Sequence, residues 1–501
     1  MLVLGIDAST TAVKAIAWDT AGTSVAEGRA GYSLENPAPG AWEQDAEAWW
    51  SATRFAIAEC VRALGPRASE LQALCITHQR ETFVLTDADG KPLCPALVWM
   101  DSRGTGEVEG ARARLGAERL RELSGKPACI TPSIYKLMAL FQRRPDLARA
   151  SARVLDVHCF LAWRLTGRFA TSLASADPLG LVDMRRRAWS PELRGLAGLA
   201  ENQLPELVEP GSELGKLEAQ VASTIGLPPG LPVIAGAGDG QAAGLGAGIS
   251  GPGRSYLNLG TAIVSGVLSE EYRVSDAFRT LYAAQAGTFF LETDLKGGTF
   301  TLSWLAEKLL GSSDATKKLG ELEREAGALP AGSEGLLLVP YWNGVMNPYW
   351  DDDATGMLVG LTGRHGPAHV YRAVLEGIAF EQRLHTSGVE AATGSAIDEM
   401  VVMGGGSKSA LFCQLLADVL QKRITRARAT EATALGAGIL AAVGAGLHAD
   451  LSTATRQMTG TGESFEGGVD SARYAALYPL YERLFPTLRA TLAELGRLTR
   501  Q

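Results

Sequence analysis

Residues 5–22 read GIDASTTAVKAIAWDTAG. An apolar run, Leu2-Val3-Leu4, enters Gly5-Ile6-Asp7. Three hydroxyl residues follow (Ser9, Thr10 and Thr11), and a second apolar run, Val13 to Trp18, carries one lysine, Lys14. The pattern predicts two strands joined at a bend. A plain hairpin favours Asn-Gly or Asp-Gly at its turn, so an aspartate and a row of hydroxyls point to a turn built to meet a ligand. Hydroxyls and backbone N–H groups in such a turn cradle phosphate oxygens. Asp7 repels a phosphate directly, but it suits the water shell of a Mg²⁺ ion bound to one.

The same design returns later in the chain. Val233–Gly240 (VIAGAGDG) opens a strand–turn unit, with a small-residue helix start from Gln241. Ser255–Gly266 (SYLNLGTAIVSG) then repeats strand, Gly-Thr turn and strand. Two halves that share this opening suggest an internal duplication. The expected fold is α/β, with two similar lobes facing a central cleft and both turns pointing into it. A third glycine cluster, Met403-Gly404-Gly405-Gly406-Ser407-Lys408-Ser409, follows a strand pattern and precedes a helix over 410–420. Glycines at a helix N-terminus let a flat or charged ligand lie against the backbone, which makes this a candidate adenosine site.

Outward from these turns, the first third alternates strands with helical patterns, as α/β folds do. It predicts a helix over Ala46–Leu64, a strand over Leu71–Thr77 and an amphipathic stretch over Leu137–Ala150. Residues 204–232, rich in proline and glycine, read as the approach to a boundary; the two lobes are placed at 1–245 and 246–501. At 501 residues the chain exceeds what one core can hold. A formal net charge of -8 without long basic runs argues against a nucleic-acid or membrane-surface binder. No basic leader and no apolar run near about 18 residues is visible. The six cysteines form no CxxC arrangement and the six histidines no metal spacing, so free thiols in a reducing cytoplasm are expected.

Taken together, the motifs resemble the FGGY carbohydrate kinases, within the group of actin-like, ribonuclease H-like ATPase folds, over nearly the whole chain. The matching segments are GIDASTT, THQRETFVLTD (77–87), LVWMDSR (97–103), AGAGDGQAAG (235–244), LNLGTAIVSG (257–266), GLTGRHGPAHVYRAVLEGIAF (360–380) and MGGGSKSALFCQLLAD (403–418). The resemblance implies transfer of the γ-phosphoryl group of ATP to a sugar or polyol hydroxyl, with Mg²⁺. It implies Asp239 as general base touching the acceptor, and Asp7 with Asp239 beside the metal. Thr10, Thr11, Lys14, Gly260, Thr261, Gly404, Gly405 and Ser409 form the implied ATP site, and a homodimer is the implied assembly. Phosphoryl transfer needs positioning, charge stabilisation and a carboxylate aimed at the nucleophile; Gly238 and Gly240 would give Asp239 the backbone freedom to be aimed. Three positions depart from the family. Ser9 stands where a glycine is usual, which the turn accepts only at ordinary φ/ψ. Gly240 replaces an Asn or Gln, and Ala139 replaces a tryptophan.

The acceptor is read from two conflicting signals. Gln79-Arg80-Glu81-Thr82 resembles glycerol kinases, in which an Arg-Glu pair donates to and accepts from vicinal hydroxyls. Trp42-Glu43-Gln44-Asp45, Trp99-Met100-Asp101-Ser102-Arg103 and Leu338-Val339-Pro340-Tyr341 resemble xylulose kinases. The acceptor set is therefore Arg80, Glu81, Trp99, Asp101 and Asp239, with D-xylulose first and glycerol or another short polyol as the alternative. Two bland readings stay open: Arg80–Glu81 as a structural ion pair, and Trp99 as a core residue. Asp351–Asp353 reads as a solvated loop, and His365 with His369 as a loop rather than a metal pair. A self-assembling actin-like ATPase is the remaining alternative, although it lacks segments 77–103 and 360–380.

Overall fold

The computed structural model describes residues 1–499. The opening stretch forms β1 (Leu2–Ala8) and β2 (Ala12–Asp19), antiparallel, with Asp7 opposite Lys14. They are joined by β3 (Ser24–Gly31), β4 (Leu71–His78), β5 (Glu213–Lys216) and β6 (Pro232–Ile234) into one sheet of order β5-β6-β4-β1-β2-β3. Four helices position the site: α1 (Ala46–Leu64), α2 (Ser133–Arg143), α3 (Val157–Thr166) and α4 (Asp239–Gly246).

The second sheet takes β7 (Arg254–Leu259), β8 (Ile263–Ser269), β9 (Arg279–Tyr282), β10 (Phe289–Leu295), β11 (Glu399–Met403), β12 (Arg423–Ala427) and β13 (Thr461–Phe465). Its order is β9-β10-β8-β7-β11-β12-β13. Its helices include α5 (Pro367–Thr393), α6 (Ala410–Leu420) and α7 (Ala432–Gly444). In the first sheet β1 runs parallel to β4 and β4 to β6, while β2, β3 and β5 are antiparallel to their neighbours. In the second, β7 runs parallel to β11 and β11 to β12, while β8, β10 and β13 are antiparallel. Six strands correspond one to one, and β9 is an addition. The duplication expected from the two turns therefore extends to the whole of both sheets.

Both sheets are buried on both faces, which is why their central strands read as continuous apolar runs. Leu2, Leu4 and Ile6 of β1 pack with Trp49 of α1 and Phe160 of α3. Val3, on the other face, packs with Leu435 and Leu440 of α7. So α7, which lies between β12 and β13 of the second sheet, covers the first. Its counterpart α4, which follows the first sheet, packs Ala243 against Tyr256 and Phe290 of the second. The two helices cross with glycine at the contact: a Cβ on Gly246 would stand 1.9 Å from the Ala432 carbonyl oxygen, and one on Gly436 2.0 Å from that of Ala242.

The helix over 46–64 forms as expected, opened by the Asp45 carboxylate, which accepts the Glu47 N–H. The strand after it runs one residue further than expected, to His78. The stretch 137–150 is two helices, Ser133–Arg143 and Pro145–Ala150, because Pro145 cannot continue the first. Residues 204–232 do not lead to a new unit. They hold strand Glu206–Val208, β5 and helix Ala219–Ile225, and β6 then pairs with β4 inside the first sheet. His365 lies in a loop, whereas His369 is in the first turn of α5. Asp351 and Asp352 are ion-paired, with Arg489 and Lys296, rather than merely solvated. All six cysteines are free. Among the described residues no helix is long and apolar enough to cross a membrane.

Candidate active site

At the first turn, Ser9 donates both its N–H (3.0 Å) and its hydroxyl (2.8 Å) to the Ala12 carbonyl. Its φ is not positive, so serine serves where the family has glycine. The Thr10 carbonyl accepts from Gln44 Nε2, and Thr10 Oγ1 accepts the Trp99 indole N–H at 3.0 Å. Thr11 is exposed. Trp99 is 39% exposed, which removes the core reading and places its ring beside the hydroxyl turn.

Asp7 is buried, and its Oδ1 has no hydrogen-bond partner among the described residues. Burial first, then the Asp239 charge, raise its pKa to about 7; Lys14 pulls it back. A half-protonated carboxylate facing a second carboxylate is what a divalent cation relieves, so the donor set fits Mg²⁺. Among the described residues no cluster of three His, Cys, Asp or Glu could hold a metal ion. Lys14 Nζ is 2.6 Å from Glu431, just before α7.

Asp239 opens α4, with Gly238 as its N-cap. Its Oδ1 accepts the Gly240 N–H at 2.7 Å and lies 2.8 Å from Arg80 Nε. The side chain is 42% exposed. Neither flanking glycine is in the left-handed region, so freedom is not their contribution. They are needed for space: a Cβ on Gly238 would stand 2.5 Å from the Arg80 side chain, and one on Gly240 2.8 Å from Glu292 Oε2.

Arg80 and Glu81 are not paired with each other. Arg80 Nη1 donates to both Glu292 oxygens, at 2.9 and 3.0 Å, and Arg279 Nη1 donates to Glu81 Oε1 at 2.8 Å. Glu292, Arg279 and Tyr256, whose hydroxyl donates to Glu292 at 2.8 Å, were not visible as site residues in the sequence. The available signal was the charged pair Glu292 and Asp294 in the otherwise apolar strand FFLETDL. Lys136 was also missed. Fully buried in α2, its ammonium donates to the carbonyls of Thr131 (2.7 Å), Trp99 (3.2 Å) and Glu81 (3.4 Å). Burial lowers its pKa to about 8, against the pull of Glu81 and Asp101.

At the second turn the Gly260 carbonyl accepts the N–H and hydroxyl of Thr299, and Thr261 is exposed. Gly404 lies against this turn at φ 82, with its Cβ position 2.5 Å from Asn258 Oδ1, so only glycine fits. Gly405 faces open space. Two expected site residues have their polar atoms committed. Asp101 accepts from the Trp42 N–H and from the Arg103 backbone and guanidinium. Ser409 caps α6 through Phe412 N–H and donates to Glu323. Each is held by contacts within or beside its own loop.

Residues 2–246 match the family model described as the FGGY family of carbohydrate kinases, N-terminal domain, and residues 255–445 match its C-terminal domain. The chain is 30% identical to the xylulose kinase of Escherichia coli over 505 residues, 97% of this chain and 100% of that one. It is 30% identical to the glycerol kinase of Thermococcus gammatolerans over 491 residues, 95% of each. Among solved structures, the xylulose kinase from Rhodospirillum rubrum superposes with a TM-score of 0.90 at 28% identity, covering 98% of this chain and 100% of that one.

Proposed function

The chain belongs to the FGGY family of carbohydrate kinases, ATP-dependent phosphotransferases, and from that membership we propose that its acceptor is a pentulose, D-xylulose first. The self-assembling ATPase considered from the sequence is thereby set aside. Similarity to xylulose kinases along the whole chain, in sequence and in structure, supports the acceptor assignment. Asp239 is the proposed base. With Oδ1 held by Arg80 and the Gly240 N–H, its second oxygen takes the proton of the acceptor hydroxyl while the hydroxyl oxygen bonds to the γ-phosphorus and the bond from that phosphorus to the bridging β-phosphate oxygen breaks, releasing ADP. The turns at Ser9–Thr11 and Gly260–Thr261 hold phosphate oxygens, and the Gly404–Gly405 loop takes the adenosine. Asp7 would hold a water-shelled Mg²⁺, which supplies charge neutralisation on the phosphates.

A second reading, glycerol or another short polyol, is favoured by the equal identity to a glycerol kinase and by Arg80, which stands on the proposed base with Glu81 as the next residue. A site that hydrogen-bonds each hydroxyl rejects acceptors that leave its groups unpaired, so one panel separates the readings. Acceptor-dependent ATP turnover is measured with D-xylulose, D-ribulose, L-ribulose, ribitol, erythritol and glycerol, on wild type and Arg80→Ala. D-Xylulose is expected to lead in kcat/KM by at least about tenfold; glycerol leading by that margin establishes the second reading. Arg80→Ala is expected to lose acceptor-dependent turnover with nucleotide affinity nearly unchanged.

A further inference from the structure

Four charged side chains beneath Asp239 alternate in sign, each bonded to the next: Arg80, Glu292, Arg279, Glu81. Arg80 donates to Glu292, Arg279 Nε and Nη2 reach the same carboxylate at 2.8 and 2.6 Å, and Arg279 Nη1 donates to Glu81. None is more than 7% exposed. Burial of four charges is tolerable because each has a geometric partner and they sum to zero. Two come from the turn after β4 and two from β9 and β10, so the chain of bonds crosses from one sheet to the other.

Its placement suits more than a clamp. A guanidinium is planar, so seating Nη1 on both oxygens of Glu292 fixes the plane and with it the position of Nε against Asp239. On the other side Glu81 has φ 51, a conformation costly for any residue with a Cβ. It stays aimed because Arg279 holds its carboxylate and Lys136 its carbonyl. Room for the Arg80–Glu292 contact exists only because residue 240 has no side chain.

We propose that Arg279 and Glu292 are positioning residues for the acceptor: from the second sheet, they set where Arg80 and Glu81 of the first stand. The acceptor site is then complete only with both sheets in contact. This rests on the reading of Arg80 and Glu81 as acceptor ligands.

The test compares Glu292→Gln, Arg279→Lys, Arg279→Met and Arg80→Ala in the full-length protein. Acceptor KM, kcat, nucleotide Kd and thermal midpoint are measured for each. Glu292→Gln and Arg279→Met are expected to raise acceptor KM at least tenfold while nucleotide Kd stays within about twofold; Arg279→Lys should recover part of the loss. An Arg279→Met/Glu81→Gln double mutant should cost less than the two single changes combined, since both act through one contact. Folded Glu292→Gln and Arg279→Met with acceptor KM within twofold of wild type would overturn the proposal. Should Glu292→Gln fail to fold, Tyr256→Phe, which removes one donor from Glu292, replaces it under the same criterion. If Arg80→Ala itself leaves acceptor KM unchanged, the underlying acceptor reading fails instead, whatever the other variants do.

Discussion

Asp7 and Asp239 differ in their surroundings, and the roles proposed for them differ accordingly. Asp239 is open to the cleft with one oxygen pinned, and its replacement by alanine should cut phosphoryl transfer by at least about 10²-fold, the lower range for loss of a general base. Nucleotide binding should survive, and equilibrium titration with an ATP analogue checks it. Asp7 is buried with its pKa raised from 3.8 to about 7. The folded chain therefore keeps a proton there that the unfolded chain releases near pH 4. Its contribution to stability is full below that point and is lost as pH rises through about 7. A cation replaces that proton, so Mg²⁺–nucleotide binding should release protons at pH 6.5 and tighten toward pH 8. Calorimetry in buffers of different ionisation heat reads the release; equal heats would refute it, and Asp7→Asn should abolish it. Both aspartates stand out in the sequence, because each sits in a local turn with hydroxyl or glycine neighbours. Glu292 and Arg279 do not: their partners Arg80 and Glu81 lie 212 and 198 residues away, and no window of sequence contains both ends of such a contact.

At the scale of elements, the crossing of α4 and α7 sets the position of Asp239, which is the first residue of α4. Gly436→Val would drive side-chain atoms into the Ala242 backbone. Overpacking of this kind costs about 1–3 kcal/mol, and a shift of α4 should also lower kcat. Thermal denaturation and steady-state kinetics check the two effects together. Gly195, inside helix Pro191–Ala197 with nothing near its Cβ position, is the contrasting case. Gly195→Ala should stabilise by about 0.5–1 kcal/mol through helix propensity alone and leave kinetics untouched. The helix over 46–64 was readable from its helical pattern, and the structure adds the Asp45 cap. Pro145 breaks the stretch over 137–150 although the amphipathic pattern continues on both sides of it. Residues 204–232 misled because edge strands and a short helix carry as much proline and glycine as a linker does.

For the whole molecule, the doubled architecture was visible from two turns, since each half opens its sheet with the same strand–turn–strand unit. The exchange of helices was not visible, because α4 and α7 are built mainly of glycine, alanine and aliphatic residues that suit either sheet. Two similar sheets with a cleft between them, one bearing the proposed acceptor turn and the other Gly260 and Gly404, should draw together on binding both substrates and exclude water from the γ-phosphate. Small-angle scattering with acceptor and a non-hydrolysable ATP analogue should show a smaller radius of gyration than with either alone. An unchanged radius would count against closure. The helix exchange also bears on synthesis. The first strand to leave the ribosome waits for α7, made about 420 residues later, which at about 5–20 residues per second is roughly 20–80 s. Through that interval Val3, Ile16 and Trp18 lack the face that covers them in the finished protein. A polypeptide ending at residue 245 leaves that surface bare and should be recovered in the insoluble fraction.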